Sequence, residues 1–176
     1  MYNNIVRLAE KSDINEIAEL FDRLCDRLES GTNYPGWKKG IYPDRRTAEL
    51  YVGNGELHVI TLEGKIAGTI VLSQEPEEAY DEVKWRYEWK YDNLFVIRTF
   101  TVDPEFWGIG LGERLLDHAV NYGRRIGIKA MRLDVLQTNL PAIRLYEKSG
   151  FEYAGTVDLR LNIPGLKWFR LYEKSI

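Results

Sequence analysis

Three glycines at alternate positions, Gly108, Gly110 and Gly112, stand directly ahead of an apolar run of helical period in TVDPEFWGIGLGERLLDHAV, residues 101–120. Glycine is a poor builder of helices and strands, so the chemistry on offer is that of a bare backbone. A helix N-terminus presents N–H groups with the helix dipole behind them, and glycines let a phosphate approach without meeting a Cβ. The plain alternative is a turn kept small for tight packing. Two nucleotide motifs do not fit. A P-loop needs Lys and then Ser or Thr after its last glycine, and here Glu113-Arg114 follow. The dinucleotide fingerprint sets its third glycine three places after the second, and here the step is two.

Other side-chain chemistry is sparse. His58, His118 and Cys25 have no zinc-ligand spacing, so no metal is expected. Cys25 falls on an apolar helical stripe and reads as a buried structural thiol. His58 lies in a strand and His118 on the polar side of its helix. No Gly-x-Ser-x-Gly elbow is present. Tyr146, in a helical run, reads from its spacing as a core tyrosine.

These residues need elements to position them. NIVRL reads as a strand and SDINEIAELFDRLCDRLESG as a helix, with Asp13 and Glu16 as a capping box. Ile14, Ile17, Ala18, Phe21, Leu24, Cys25 and Leu28 form its apolar stripe, and Gly31 ends it. TNYPGWKKGIYP, residues 32–43, is a loop rich in Gly, Pro and aromatics, and RRTAELYVGNG is a short helix. ELHVITLEGKIAGTIVLSQE is a hairpin about Glu63-Gly64-Lys65, and NLFVIRTFTVD is a strand apolar enough for burial on both faces. AMRLDVL is a strand. NLPAIRLYEKSG is a helix with Pro141 in its first turn and Gly150 at its end, and the chain closes as a hairpin around Ile163-Pro164-Gly165. The order β-α-(α)-β-β-β-α-β-α-β-β is that of a mixed sheet with helices, α/β or α+β in class.

A chain of 176 residues, 44% hydrophobic and 29% charged, suits one domain spanning residues 1–176. No apolar run reaches membrane-span length, and MYNNIVRLAEKSD has no signal-peptide core. One cysteine fits a reducing compartment, so a cytoplasmic location is expected. A formal charge of −3 argues against nucleic acid as the main partner.

VDPEFWGIGLGERLL (102–116) followed by NLPAIRLYEKSGF (139–151) resembles the GNAT N-acetyltransferase superfamily. In that family an Arg/Gln-x-x-Gly-x-Gly/Ala loop binds the pyrophosphate of acetyl-CoA, and the match here is Trp107-Gly108-Ile109-Gly110-Leu111-Gly112. Trp107 departs from the Arg or Gln of the pattern, which removes a side chain and leaves the backbone cradle. Asn139, Ala142, Leu145, Tyr146, Glu147, Lys148, Gly150 and Phe151 match the second motif. The resemblance implies a mixed, mainly antiparallel twisted sheet of about seven strands with flanking helices and a splay between the central strands. It also implies an acetyl-CoA-dependent enzyme in which a primary amine, on a small molecule or a peptide N-terminus, attacks the thioester directly. Thr101, Val102, Trp107, Gly108, Ile109, Gly110, Leu111, Gly112, Glu113, Asn139, Ala142 and Tyr146 would then bind the cofactor. A Val102 backbone N–H would stabilise the oxyanion, and Tyr146, a phenol near pKa 10, would protonate the leaving thiolate. Asn139 would cap its helix and bond the CoA arm. Trp107 would stack on the cofactor or shield the base of the loop.

The acceptor side is less defined. The strand before the glycines, VIRTFTVD, lacks the Glu that some members carry there, so the base is open among Asp134, an acid of residues 76–93 such as Asp81 or Glu88, or a water chain. PEEAYDEVKWRYEWKYDN interleaves Tyr80, Trp85, Tyr87, Trp89 and Tyr91 with charges. Alternation at 85, 87, 89 and 91 has the strand period. The segment is an edge extension with one packed face, an acceptor wall or a homodimer contact. Tyr34, Trp37 and Tyr42 raise the same question, and Tyr34, Trp37, Tyr80, Trp85 and Asp134 are the substrate-side candidates. An aromatic and acidic lining suits a small cationic amine. A non-catalytic CoA-binding sensor or interaction module on the same fold is the alternative.

Overall fold

A computed structural model describes residues 5–176. The chain runs β1 (Ile5–Leu8), α1 (Ile14–Glu29), α2 (Arg45–Gly53), β2 (Leu57–Leu62), β3 (Lys65–Ser73), β4 (Leu94–Val102), α3 (Leu111–Ile126), β5 (Ala130–Leu136), α4 (Leu140–Lys148), β6 (Glu152–Asp158) and β7 (Trp168–Ser175). This is the expected order; Asn4, the first residue of the expected opening strand, lies outside the described residues. The strands form a seven-stranded sheet in the order β1-β2-β3-β4-β5-β7-β6. β4 and β5 are parallel, whereas β1 with β2, β2 with β3, β5 with β7 and β6 with β7 are antiparallel. The mixed, mainly antiparallel class therefore holds.

The chain divides into two compact units, each assembled from separate segments. The first takes the chain up to Asn33, Trp37–Leu72 and Arg98–His118; the second takes Tyr34–Gly36, Ser73–Ile97 and Ala119–Ile176. In the first, α1 buries Ile17, Leu20 and Phe21 against Ala48 and Val52 of α2 and Leu57, Val59 and Val71 of the β2–β3 hairpin. The hairpin turns on Glu63 and Gly64, both at positive φ, as a tight two-residue turn requires. Gly68 sits where strands and helix crowd: a Cβ there would stand 2.7 Å from the Thr101 carbonyl oxygen and 3.2 Å from Leu115.

The start of α1 differs from expectation. Asp13 does not cap with Glu16. Its carboxylate takes both Arg7 guanidinium nitrogens, at 2.6 and 2.9 Å, and the Glu10 N–H. Glu16 accepts the Ile66 N–H at 2.7 Å. A neighbouring guanidinium offers a carboxylate more than a single backbone N–H does.

In the second unit, the ladder of β4 with β5 runs from Leu94↔Ala130 to Ile97↔Leu133. Asp134 is the first residue of β5 beyond it, and the half-buried one in an otherwise buried strand. Residues 83–90 form no strand. Glu78–Glu82 and Tyr91–Asn93 are short 3-10 turns, and between them Trp85 packs on the Arg132 side chain instead of pairing in a ladder. Ala79, Tyr80, Val96, Val157 and Leu171 make this unit's core around them, with Trp85 and Tyr91 at its margin.

Candidate active site

The glycine loop belongs to the first unit. Asp103 ends β4 and is buried. Its carboxylate takes the Arg23 guanidinium of α1 at 2.6 Å and the Glu105 N–H at 3.0 Å, which anchors the turn Pro104–Phe106. Gly108 and Gly110 both adopt the left-handed conformation, at φ 82° and 84°, which favours glycine strongly. A Cβ at either would meet nothing within 4 Å, so packing does not demand these glycines. The backbone conformation does, and the space above the loop is open. Gly110 O accepts the first helical bond of α3, from Arg114 N, so the N–H groups of Leu111 and Gly112 precede the helical ladder. The arrangement fits a pyrophosphate: a helix N-terminus and a backbone with no Cβ in the way.

Trp107 takes a definite place. Its indole N–H donates to the Val102 carbonyl at 2.9 Å, which folds the ring over the end of β4 and leaves one face exposed. The Arg27 guanidinium of α1 lies 6.0 Å from the ring centroid. Thr101 is buried, and its hydroxyl is 2.8 Å from that of Thr69. What Thr101 offers a ligand is therefore backbone.

Just upstream, Thr99 sits at φ 41° inside β4. Left-handed backbone at a β-branched residue costs on the order of 1–3 kcal/mol. Two contacts hold it in a buried position: Tyr42 Oη lies 2.7 Å from Thr99 Oγ1, and Thr69 Oγ1 donates to the Thr99 carbonyl at 3.1 Å. Tyr42 in turn meets Trp37 edge-on at 5.8 Å, and the Asn33 side chain brackets the Trp37 backbone. The aromatic loop is thus tied to the strand that leads to Val102. No sequence signal marked Thr99, since threonine is an ordinary strand residue.

The second unit carries the other matched residues. Asn139 caps α4, its side-chain oxygen accepting the Ala142 N–H at 3.4 Å. Tyr146 is buried, edge-on to Phe151 at 5.8 Å. Its phenol is pushed well above the ordinary value, by burial first and by the Asp134 charge second. The expected pKa near 10 is therefore corrected upward: loss of water penalises the phenolate. Asp134 accepts the Tyr80 hydroxyl at 2.7 Å. Tyr80 has no exposed surface, so it backs Asp134 and is not an open wall for a substrate. Trp85 is likewise engaged: its indole N–H donates to the Tyr80 carbonyl at 2.9 Å, and its ring faces the Arg132 guanidinium at 4.1 Å. Tyr34 and Trp89 are exposed. An arginine within the apolar strand AMRLDVL was the available signal for this cluster.

His118 does not lie on a polar face. Its Nε2 is 3.0 Å from Nδ1 of buried His58, and burial, then the His118 charge, push His58 down to about 4. Cys25 is buried, and burial, then Asp22 and Asp26, push its thiol up to about 11, which makes it a poor nucleophile. Among the described residues no group of three or more His, Cys, Asp or Glu could hold a metal ion, and no helix is long and apolar enough to cross a membrane.

Known proteins place these features in a family. The sequence profile described as "Acetyltransferase (GNAT) family" matches residues 18–151, taking in the glycine loop and α4. An uncharacterized N-acetyltransferase of Methanocaldococcus jannaschii is 24% identical over 153 residues, 84% of this chain and 60% of its own length. A spermine/spermidine N(1)-acetyltransferase of Bacillus subtilis (strain 168) is 30% identical over 97 residues, 54% of this chain and 59% of its own. The chain thus spans about three fifths of the length of these curated relatives. In fold it is similar to a GNAT-family acetyltransferase from Streptococcus agalactiae 2603, with a TM-score of 0.82 at 22% identity over 100% of this chain and 98% of that one. With three quarters of its length inside the profile, from within the second turn of α1 to just past the end of α4, the chain belongs to the GNAT acetyltransferase family.

Proposed function

We propose that this chain, acting as one domain, is an acetyl-CoA-dependent N-acetyltransferase that acetylates a primary amine on a small molecule or a peptide N-terminus. The observation that carries the reading is the pair of left-handed glycines with open space above them at the start of α3. Packing offers no other reason for them. Acetyl-CoA, when bound, supplies an acetyl thioester and a thiol leaving group. The N–H groups of the loop and of the start of α3 bind its pyrophosphate, and Asn139, at the start of α4, bonds its arm. A Val102 backbone N–H stabilises negative charge on the carbonyl oxygen as the amine attacks.

Asp134 takes the proton that the amine must lose. It is the half-buried carboxylate at the end of the β4–β5 ladder, which sets it above the solvated acids Asp81 and Glu88. Tyr146 holds the proton for the departing sulfur. Its raised pKa keeps the phenol protonated across the working range, and a thiolate leaving in the same dry surroundings is a stronger base than in water. The aromatic loop with Trp37 and Tyr42 is the acceptor-side contact, suited to a cationic amine. The reaction belongs in a reducing cytoplasm, where Cys25 stays a thiol.

A thiol-release assay with acetyl-CoA against a panel of polyamines, monoamines and N-terminal peptides tests the reading. Turnover with an amine is expected. Tight acetyl-CoA binding without turnover on any amine would instead favour a non-catalytic CoA-binding module.

A further inference from the structure

The aromatic segment between β3 and β4 is packed too deliberately to be a plain linker. Arg132 of β5 is buried, and all three nitrogens of its guanidinium are engaged. Nε donates to Glu173 Oε1 at 2.9 Å, one terminal nitrogen to Tyr91 Oη at 3.0 Å, and the other to the Tyr87 carbonyl at 2.7 Å. The Trp85 ring covers it at 4.1 Å. A guanidinium with a fixed fork of donors pins several chain points at once. Here it pins Trp85, Tyr87 and Tyr91 of one loop. Trp85 passes the constraint on, through its bond to the Tyr80 carbonyl and a ring contact at 5.5 Å. The end of this chain of contacts is a single polar atom, the Tyr80 hydroxyl, donating to Asp134 Oδ2 at 2.7 Å.

We propose that Tyr80 is a positioning residue for Asp134: the Arg132-clamped aromatic loop holds its buried phenol so that the donated hydrogen bond keeps the carboxylate ionised and aimed. This rests on the reading of Asp134 as the base that accepts the amine's proton. Several elements bring groups to Asp134. Tyr80 comes from the turn before Val83, Tyr146 from α4 feels its charge, and Arg132 lies two residues earlier on the same face of β5 but is matched by Glu173. Leu171, opposite on β7, carries no charge. A hydrogen bond to the charged form favours that form, so replacing Tyr80 by Phe removes this donor from the carboxylate without removing a charge.

The test pairs two measurements on Tyr80→Phe, with acetyl-CoA affinity by calorimetry as the check that the cofactor site is intact. Carbon-13 carboxyl NMR should show the Asp134 titration midpoint rising by about 0.5–1 pH unit, and the acid limb of kcat should rise by the same amount. If Tyr80→Phe folds poorly, fluorotyrosine at position 80 keeps the packing and strengthens the donor, and both readings should fall. An unmoved NMR midpoint overturns the inference while leaving the base reading intact, provided Asp134→Asn is still slow. A midpoint that moves while the kcat limb stays, with Asp134→Asn as fast as the parent, overturns the base reading and the catalytic role of Tyr80 with it.

Discussion

Tyr146 holds its proton more tightly than a free phenol does, because burial and the Asp134 charge both disfavour the phenolate. Tyr146→Phe keeps the ring and its contact with Phe151, so stability should change by no more than about 1 kcal/mol. Turnover should fall by roughly 10²- to 10⁴-fold, in kcat more than in KM, since the proton is needed only as the thiolate leaves. Steady-state kinetics under conditions where chemistry limits the rate checks this; a variant as fast as the parent would return Tyr146 to the core. The raised phenol pKa adds that no basic limb from Tyr146 should appear in the parent's kcat profile up to about pH 10. The residue was legible as part of a motif. Its acidity was not, since that depends on which neighbours exclude water. Tyr80 marks the same limit from the other side: composition placed it among the substrate-facing aromatics, and its burial against Asp134 makes it a support.

At the scale of elements, the β4-to-α3 connection was legible because its glycines sit where a strand must stop and a helix start. Gly110 tests it with two substitutions. Asp adds a like charge where the proposed pyrophosphate would lie, whereas Asn tolerates left-handed backbone and adds no charge. Both should lose some stability, on the order of 1 kcal/mol, to the positive φ. Calorimetry should find acetyl-CoA binding abolished in Gly110→Asp and only weakened in Gly110→Asn; equal, unchanged affinities would remove the loop from the site. The segment over 83–90 shows where period fails. Alternating aromatics announce a strand only if a ladder partner exists, and here the partner of Trp85 is the side chain of Arg132, which pairing rules do not reveal. Thr99 is a further case: its left-handed backbone is imposed by Tyr42 and Thr69, far away in sequence.

For the whole molecule, acid should act through two sites in sequence. His58 stays neutral in the fold down to about 4, against an ordinary 6.5, with burial the larger cause. Between these values the unfolded chain binds a proton that the folded chain refuses. Stability should therefore fall as pH drops from 6.5 toward 4, by up to about 3 kcal/mol, and His58 adds nothing further below that. Asp13 acts in the same direction at lower pH. Its carboxyl is held below the usual value, chiefly by the Arg7 hydrogen bonds, so its contribution is present above the unfolded value and is lost only as pH falls through the folded one. Urea denaturation at pH 7 and pH 5 should show the His58 loss, and His58→Gln, which can bond His118 without titrating in this range, should flatten it. A parent equally stable at both values would show that the His58–His118 pair costs nothing to protonate. What the sequence by itself determined was the element order, the mixed sheet, the family motifs and the position of the glycine loop, because each is written locally in periodicity, glycine placement and capping residues. Only the tertiary structure decided which side chains are buried and what each one meets: the burial of Tyr80, its bond to Asp134, the clamp on Arg132, the strain at Thr99 and the pairing of His58 with His118. Each depends on atoms brought together from distant parts of the chain, and desolvation and hydrogen-bond geometry exist only once the chain has folded.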